Sequence, residues 1–152
     1  ALPSVVRGAL ACFSLDPSDL ELEITESTAM QNPELTVRIL EQLSGMGIIL
    51  AIDDFGTGYS SLAYLKHLPI QRLKLDRSFV KDIETDINDA AICSATVALG
   101  HNLGLELVAE GVETEPQKEF LTRLGCDVLQ GFLYSRPLPA EAMADFLRNL
   151  AK

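Results

Sequence analysis

Five short apolar runs alternate along the chain with longer segments of helical periodicity. Each run ends on polar side chains and predicts a β-strand. The five runs are Leu20–Thr25, Gly47–Asp53, Arg72–Asp76, Leu105–Glu110 and Asp127–Gln130. Because strands that alternate with helices favour a parallel sheet covered by helices, the predicted fold class is α/β. The pattern alone leaves open a doubly wound sheet or a barrel.

The segments between these runs have the spacing and the end signals of helices. In one of them, Pro33 opens the segment, Leu35, Ile39 and Leu43 recur at helical spacing, and a glycine closes it. The predicted helices are Pro3–Phe13, Pro33–Gly45, Ile87–Leu103, Glu115–Leu124 and Ala140–Leu150, with a short helix near Ser60–His67 and one turn after Ser78.

Acidic and amide side chains stand at or near the ends of all five predicted strands. They are Glu23 and Glu26, Asp53 and Asp54, Asp76 beside Lys74, Glu110 and Glu113, and Gln130. The carboxyl ends of parallel strands meet at one edge of a sheet or barrel, where chemistry gathers. Uncompensated carboxylates raise one another's pKa, and divalent cations such as Mg²⁺, Mn²⁺ or Ca²⁺ relieve that repulsion. A metal pair at this edge would support attack on a phosphodiester, with Lys74 stabilising the developing charge.

Several of these residues also have a simpler explanation. Asp53 and Asp54 precede Gly56 and Gly58 and suit a polar turn, and Glu23 suits an exposed strand face. Lys74, between two leucines, is either snorkelling or paired with a buried acid. Glu110 suits the turn at the following glycine. Of these residues, Gln130 gives the weakest indication of a functional role.

Composition narrows the class of protein. The chain has 152 residues, 47% of them hydrophobic, and a net charge of −10, which argues against binding to DNA, RNA polymers or anionic membranes. No apolar run is long enough to span a bilayer, and no signal peptide is recognised at the start, so a cytoplasmic location is expected. The three cysteines are expected to be reduced core residues, and His67 and His101 are expected to be structural or exposed.

Together these segments resemble the EAL family of cyclic di-GMP phosphodiesterases. The matching segments, in the family's order, are Glu23–Ser27 (EITES), Asp53–Leu62 (DDFGTGYSSL), Leu73–Val80 (LKLDRSFV), Ala109–Thr114 (AEGVET), and Gln130–Phe132 (QGF) with Arg136-Pro137. The resemblance covers essentially the whole chain. It implies a (β/α)₈ TIM-type barrel, of which about five parallel strands lie in this sequence.

The resemblance also implies an activity, a cofactor and a set of roles. Family members use two Mg²⁺ or Mn²⁺ ions to open cyclic di-GMP to linear pGpG. By motif, the implied metal ligands are Glu23, Asp53 (bridging both ions) and Asp54, and the implied catalytic residues are Lys74 (holding the attacking water), Glu110, Gln130 and Asp54. Glu113, Phe132 and Pro137 would lie near the substrate, and Glu26 and Asp76 would support the loop after Phe55.

The sequence departs from the family in two respects. The Glu-Ala-Leu triplet, whose glutamate is a metal ligand in the family, does not occur, because Glu141-Ala142 is followed by Met143. A family asparagine expected before the EITES segment is also absent. Residues 1–152 are therefore expected to form a single partial EAL domain lacking roughly the first three strands.

The sequence is compatible with three interpretations. The first is the carboxyl-terminal part of a working phosphodiesterase, inactive by itself. The second is a non-catalytic module that binds cyclic di-GMP and signals. The third concerns assembly, since an incomplete sheet exposes strand edges, and a homodimer with paired or swapped edge elements would cover them.

Overall fold

A computed structural model describes residues 1–58 and 62–150 of the chain. Five parallel strands form one sheet in the sequential order β1-β2-β3-β4-β5. The strands are β1 (Glu21–Thr25), β2 (Ile49–Phe55), β3 (Arg72–Leu75), β4 (Glu106–Ala109) and β5 (Val128–Leu129). All five predicted strands are confirmed. Because the order never reverses, the sheet is wound as in a barrel and not as in a doubly wound fold.

Helices connect the strands. They are α1 (Leu2–Phe13), α2 (Glu26–Gln31), α3 (Pro33–Ser44), α4 (Leu62–Leu65), α5 (Arg77–Lys81), α6 (Ile87–Asn102), α7 (Glu115–Leu124) and α8 (Ala140–Leu150). The predicted long helices are confirmed to within a residue at each end. Of the short helix predicted at Ser60–His67, α4 is present, while Ser60 and Ser61 lie outside the described residues.

The sequence pattern missed α2 and a 3₁₀ turn at Pro17–Asp19. The predicted strand ended on the EITES segment, and α2 begins within that segment at Glu26, one residue after β1. Thr25 closes the strand and also caps the helix, since its hydroxyl accepts a hydrogen bond from Thr28 N at 3.3 Å. Such an abrupt strand-to-helix junction leaves no loop residues to mark the boundary.

The strands present one apolar face, which carries most of the core. On this face lie Leu22, Ile24, Leu50, Ile52, Leu73, Leu75, Leu107 and Ala109. Leu73 and Leu107 are fully buried, and a Cβ added at Gly100 of α6 would lie only 2.4 Å from Leu107 Cδ2. The glycine therefore lets α6 lie directly on β4.

The opposite face is charged. Side chains alternate along a strand, so the residues between the apolar ones point the other way. This charged face carries Glu21, Glu23, Asp53, Arg72, Lys74, Glu106 and Glu110, with the buried Ala51 and Val108 between them. The alternation of the five apolar runs therefore separates a packing surface from a polar one on the same strands.

A β-bulge interrupts this alternation in β2. Ile52 pairs with Leu73 and Phe55 pairs with Leu75, so Asp53 and Asp54 together stand opposite Lys74 alone. The extra residue returns Phe55 to the apolar core, where it is 6% exposed. Asp54 has a φ of 54°, in the left-handed region that costs most residues about 1 kcal/mol. The strand thus continues past Asp53, where the sequence predicted its end.

The cysteine prediction is partly wrong. Cys93 is buried, Cys126 is half-buried, and Cys12 is exposed on α1; all three are free. Burial raises the pKa of the Cys93 thiol to about 12 and that of Cys126 to about 11, so these two are unreactive at neutral pH.

The two histidines lie away from the carboxyl ends of the strands. His67 is exposed just beyond α4. His101 Nε2 lies 2.9 Å from Asp127 Oδ2, at the entrance to β5. The same carboxylate oxygen accepts a hydrogen bond of 2.8 Å from Leu107 N. His101 therefore belongs to the opposite end of the sheet.

Within residues 1–58 and 62–150, the two outer strands β1 and β5 each pair with one strand only. No helix in that part of the chain has the length and apolar character needed to cross a membrane.

Candidate active site

Lys74 lies at the centre of a cluster of carboxylates on the charged face. Its Nζ lies 2.5 Å from Glu23 Oε1, 2.6 Å from Glu110 Oε1 and 3.4 Å from Asp53 Oδ1. The Lys74 side chain is only 6% exposed. Acids from β1, from β2 and from directly beyond β4 thus contact one buried ammonium group. Of the two alternatives for Lys74, the structure selects pairing with acids over snorkelling.

The charges in this cluster tune one another. Burial by itself would lower the pKa of Lys74, but hydrogen bonds to Glu110 and Glu23 outweigh burial and raise it above the ordinary lysine value. Burial raises the pKa of Glu110, and the ammonium of Lys74 opposes that rise. Lys74 is consequently a fixed positive charge at any physiological pH.

Asp54 and Asp76 form a second acidic contact beside the cluster. Burial, the Asp53 charge and the Asp76 charge raise the pKa of Asp54. Burial would also raise the pKa of Asp76, but hydrogen bonds from Ser78 hold it below its usual value. Asp76 accepts the Ser78 backbone N–H at 2.9 Å as the N-cap of α5. Asp76 is therefore held in place by the helix it caps, and its negative charge contributes to the raised pKa of Asp54.

Glu26 ties the loop after β2 to α2. The carboxylate is 2% exposed, and its Oε2 accepts a hydrogen bond of 2.8 Å from Gly56 N. A Cβ added at Gly58 would lie 2.8 Å from Glu26 Oε1, so a larger residue there would collide with the carboxylate. This is the geometry that a loop anchor requires; the role itself stays a prediction.

The segments after β4 and β5 are joined by backbone hydrogen bonds. Val112 N donates to Gln130 O and Leu133 N donates to Val112 O, both at 3.0 Å. A Cβ added at Gly131 would lie 2.0 Å from Val112 O, so only glycine permits this crossing. The crossing holds Gln130 and Glu113 next to Glu110.

These segments line a small pocket of about 170 Å³ at the edge of the cluster. Its lining residues are Arg77, Glu110, Gly111, Glu113, Gln130, Gly131 and Phe132. The Arg136 guanidinium lies over the Phe132 ring, 4.8 Å from its centroid, in a cation–π contact. Pro137 is exposed and does not line the pocket. Of the predicted substrate-binding residues, Glu113 and Phe132 therefore share one pocket and Pro137 lies outside it.

Sequence reasoning missed Arg77. It follows Asp76 directly, and a Cβ added at Gly111 would lie 2.6 Å from Arg77 Cβ. The available signal was a basic residue immediately beyond a strand end that carries an acid. The tight packing against Gly111, whose φ is +71°, brings this arginine into the pocket.

The donor set suits a hard divalent cation. Glu23, Asp53 and Glu110 already converge on one positive centre, and Asp54 adjoins them, so every donor is a carboxylate oxygen. In the described residues, no three acidic, histidine or cysteine side chains are already arranged as ligands around one point. The carboxylates turn instead toward Lys74. The donor atoms are therefore of the chemical type that a divalent cation prefers. The carboxylates would have to rotate away from Lys74 to act as its ligands.

A singly wound parallel sheet with an acid-and-lysine cluster at its carboxyl edge defines the class of protein: a barrel-type α/β domain with its site at the strand ends. The EAL domain family matches residues 5–137. This chain therefore belongs to the EAL family, as its sequence motifs predicted.

Relatives with assigned names support the same family. The chain is 62% identical over 138 residues to MucR of Pseudomonas aeruginosa, a bifunctional diguanylate cyclase/cyclic di-GMP phosphodiesterase, covering 91% of this chain and 20% of MucR. It is 49% identical over 148 residues to the cyclic di-GMP phosphodiesterase NbdA of the same organism, covering 97% of this chain and 19% of NbdA. The chain thus spans about a fifth of the length of these relatives.

Solved structures share the fold. The PaMucR phosphodiesterase in complex with c-di-GMP superimposes with a TM-score of 0.89 at 62% identity, over 91% of this chain and 56% of that one. The EAL domain of Mycobacterium smegmatis DcpA gives 0.90 at 45% identity, over 97% and 66%. Klebsiella pneumoniae BlrP1 with manganese and cy-diGMP gives 0.82 at 35% identity, over 88% and 34%. The five-stranded sheet is thus the corresponding part of an EAL TIM-like barrel.

Proposed function

We propose that these residues form the carboxyl-terminal part of one EAL domain that hydrolyses cyclic di-GMP to linear pGpG. The observation that carries the proposal is the convergence of Glu23, Asp53 and Glu110 on Lys74 at the carboxyl edge of the sheet. Relatives named as cyclic di-GMP phosphodiesterases support the substrate. A related structure with manganese and the dinucleotide supports a divalent cofactor, with Mg²⁺ the expected alternative.

The residues on the charged face have different proposed roles in metal binding and in catalysis. Glu23, Asp53 and Asp54 would hold the metal ions, and the family resemblance implies that Asp53 is shared between two of them. The bulge places the two aspartates side by side opposite Lys74. When bound, the ions would supply Lewis-acid activation of the phosphodiester and of water. Lys74, a permanent cation, orients the attacking water and stabilises charge developing on the phosphate.

The neighbouring pocket would bind the nucleotide. Glu110 belongs to both the cluster and the pocket, and Gln130, Glu113 and Phe132 form part of the pocket wall. The exposed Phe132 ring, 48% accessible, offers a surface on which a guanine base can stack. Pro137 would contact substrate only in a domain whose further segments bring the ligand to it.

The 152-residue chain alone is expected to show little or no hydrolysis. Its sequence contains neither the Glu-Ala-Leu glutamate nor the family asparagine, so the ligand set is short of donors. Incubation of the purified chain with cyclic di-GMP and Mn²⁺, followed by chromatography for pGpG, tests this. Turnover close to that of a complete EAL domain would contradict it.

A chimera tests the catalytic proposal itself. The segment of PaMucR phosphodiesterase that precedes the matched region is joined to this chain, 91% of which matches 56% of the PaMucR chain at 62% identity. With Mn²⁺ the chimera is expected to produce pGpG. The chimera carrying Asp145→Asn, a change on exposed α8, serves as the matched carboxylate-to-amide control.

A different outcome of the chimera assay would change the proposed function. A folded chimera that binds cyclic di-GMP without cleaving it would favour the non-catalytic signalling module.

The proposed homodimer, in which the edges of β1 and β5 are paired or swapped, has its own test. Sedimentation of the chain and of the chimera at several concentrations measures the oligomeric state. A monomer at all concentrations would refute that assembly.

A further inference from the structure

Arg72 forms a second cation-centred cluster on the charged face, separate from the one around Lys74. Its Nη1 contacts Glu21 Oε2, and its Nε contacts Glu106 Oε2. The three side chains are partly buried, with 28%, 26% and 41% exposure for Arg72, Glu21 and Glu106. None of the roles proposed above uses this cluster.

The two clusters are built from the same three strands. Glu21 precedes Glu23 by two residues on β1, and Arg72 precedes Lys74 by two residues on β3. Glu106 opens β4, which leads to Glu110 directly beyond its end. Side chains two or four residues apart share a strand face. Each of these strands therefore carries one residue of the Arg72 cluster and one of the Lys74 cluster on the same face, at a fixed spacing.

A small residue lets Arg72 reach across the intervening strand. Ala51 of β2 pairs in register with both Glu23 and Arg72, and its side chain ends at Cβ. The guanidinium can therefore pass over β2 to Glu21 on β1 while it also holds Glu106 on β4. β1 and β4 are not hydrogen-bonded to each other in the sheet. The side chain of Arg72 therefore links two strands that have no backbone hydrogen bonds between them.

We infer that Arg72 is a positioning residue: by binding Glu21 and Glu106 with its two-pronged guanidinium, it sets the relative placement of β1, β3 and β4 that directs Glu23 and Glu110 at Lys74. The inference rests on the function proposed above, because it assigns Arg72 to the same site. Arginine suits the role, since its planar fork fixes the direction of two contacts at once, which an ammonium group does not. A partly exposed ion pair contributes little to stability, so geometry is the main effect.

The test compares variants of the 152-residue chain by NMR of the Lys74 side-chain ammonium. Ion pairs to Glu23 and Glu110 protect these hydrogens from exchange with water. In Arg72→Met we expect the exchange rate of the Lys74 ammonium to rise about fivefold, the factor that corresponds to the loss of a partly exposed ion pair, with Arg72→Lys intermediate. The matched control is Arg148→Met, which removes an exposed arginine paired with Asp145, and no change is expected there.

A folded Arg72→Met chain with wild-type exchange at Lys74 would overturn the inference, even if its melting temperature fell. Should that variant fail to fold, the triple variant Glu21→Gln, Arg72→Met, Glu106→Gln decides, since it leaves no uncompensated charge. Faster exchange at Lys74 in the folded triple variant supports the positioning role, and wild-type exchange contradicts it.

Binding of Mn²⁺, followed by electron paramagnetic resonance on the same proteins, separates this inference from the proposed function. If the chain binds the ion, Arg72→Met is expected to weaken binding about tenfold, as loss of residues that orient ligands commonly does. Unchanged affinity in Arg72→Met would count against the inference. If the wild-type chain binds no Mn²⁺, metal binding by the isolated chain is refuted, while the Lys74 exchange rates still decide the role of Arg72.

Discussion

The two faces of the sheet come from the same five strands and have opposite characters. Leu73 and Leu107 on the apolar face are fully buried beneath helices, whereas Glu23 and Glu106 on the charged face are 43% and 41% exposed. The apolar face supplies the free energy of folding through buried area. The charged face holds a cluster of like charges that stays together only around Lys74 and Arg72. Stability and chemistry are thus carried by alternate residues of the same strands, and substitutions on each face should affect different properties.

The largest stability effect is expected from the apolar face. Leu107→Ala removes a fully buried side chain between β4 and α6 and leaves a cavity, at a cost of about 3 kcal/mol. Urea unfolding followed by circular dichroism measures the change. The ammonium exchange rate at Lys74 should be unchanged in the folded variant. A loss below about 1 kcal/mol would show that the apolar face contributes less than its burial indicates.

Lys74→Met is expected to lower the free energy of unfolding by less than Leu107→Ala does, although it removes the cation at the centre of the acidic cluster. The change leaves Glu23, Asp53 and Glu110 without their cation, and since these acids are partly exposed the cost is about 1 kcal/mol at pH 7. The matched control is Lys118→Met on α7, which removes an exposed ion pair with Glu115.

The pH dependence of Lys74→Met gives the sign of this interaction. The pKa of Lys74 is raised on folding, so its stabilising effect is present below its ordinary value of 10.5 and is lost only as pH rises through the higher folded value. On the acid side the effect is lost as Glu110, whose pKa burial raises, takes up a proton. The difference in unfolding free energy from wild type should therefore shrink as the solution is acidified below neutral pH. A difference that is constant from pH 7 to pH 3 would contradict this account.

The smallest effect is expected from Asp127→Asn, at the opposite end of the sheet. Hydrogen bonds from Leu107 N and His101 hold the pKa of this exposed carboxyl below 3.8 despite some burial. A lowered pKa stabilises the fold above pH 3.8, and the contribution is lost as pH falls through the folded value. Because solvent screens this exposed group, the variant should lose only about 0.5 kcal/mol at pH 7 and progressively less in acid. Equal losses at pH 7 and pH 3, measured by urea unfolding, would count against it.

The strands and long helices could be predicted because their signals are local. Alternation marks β1 to β5, and proline and glycine mark the ends of α3. The bulge at Asp53 and Asp54 could not be predicted, because it depends on how β2 pairs with β3. Arg77 and the exposure of Cys12 likewise depend on contacts between segments distant in sequence.

The candidate site was partly predictable for the same reason. The acids lie at strand ends, where topology collects them, so Glu23, Asp53, Lys74 and Glu110 were expected to be neighbours. Their metal and catalytic roles came from motif resemblance and stay predictions. The Arg72 cluster was missed because an arginine opening a strand looks like a boundary residue until the register with Ala51 and Glu106 is known.

The most direct test of the central claim is the rate of pGpG formation by the chimera with and without Asp53→Asn. Loss of a shared metal ligand removes several kcal/mol of transition-state stabilisation, so kcat should fall by about 100-fold or more. The Asp145→Asn chimera should keep the parent rate. Hydrolysis undiminished by Asp53→Asn would contradict the claim that the carboxylates around Lys74 form the metal-dependent site.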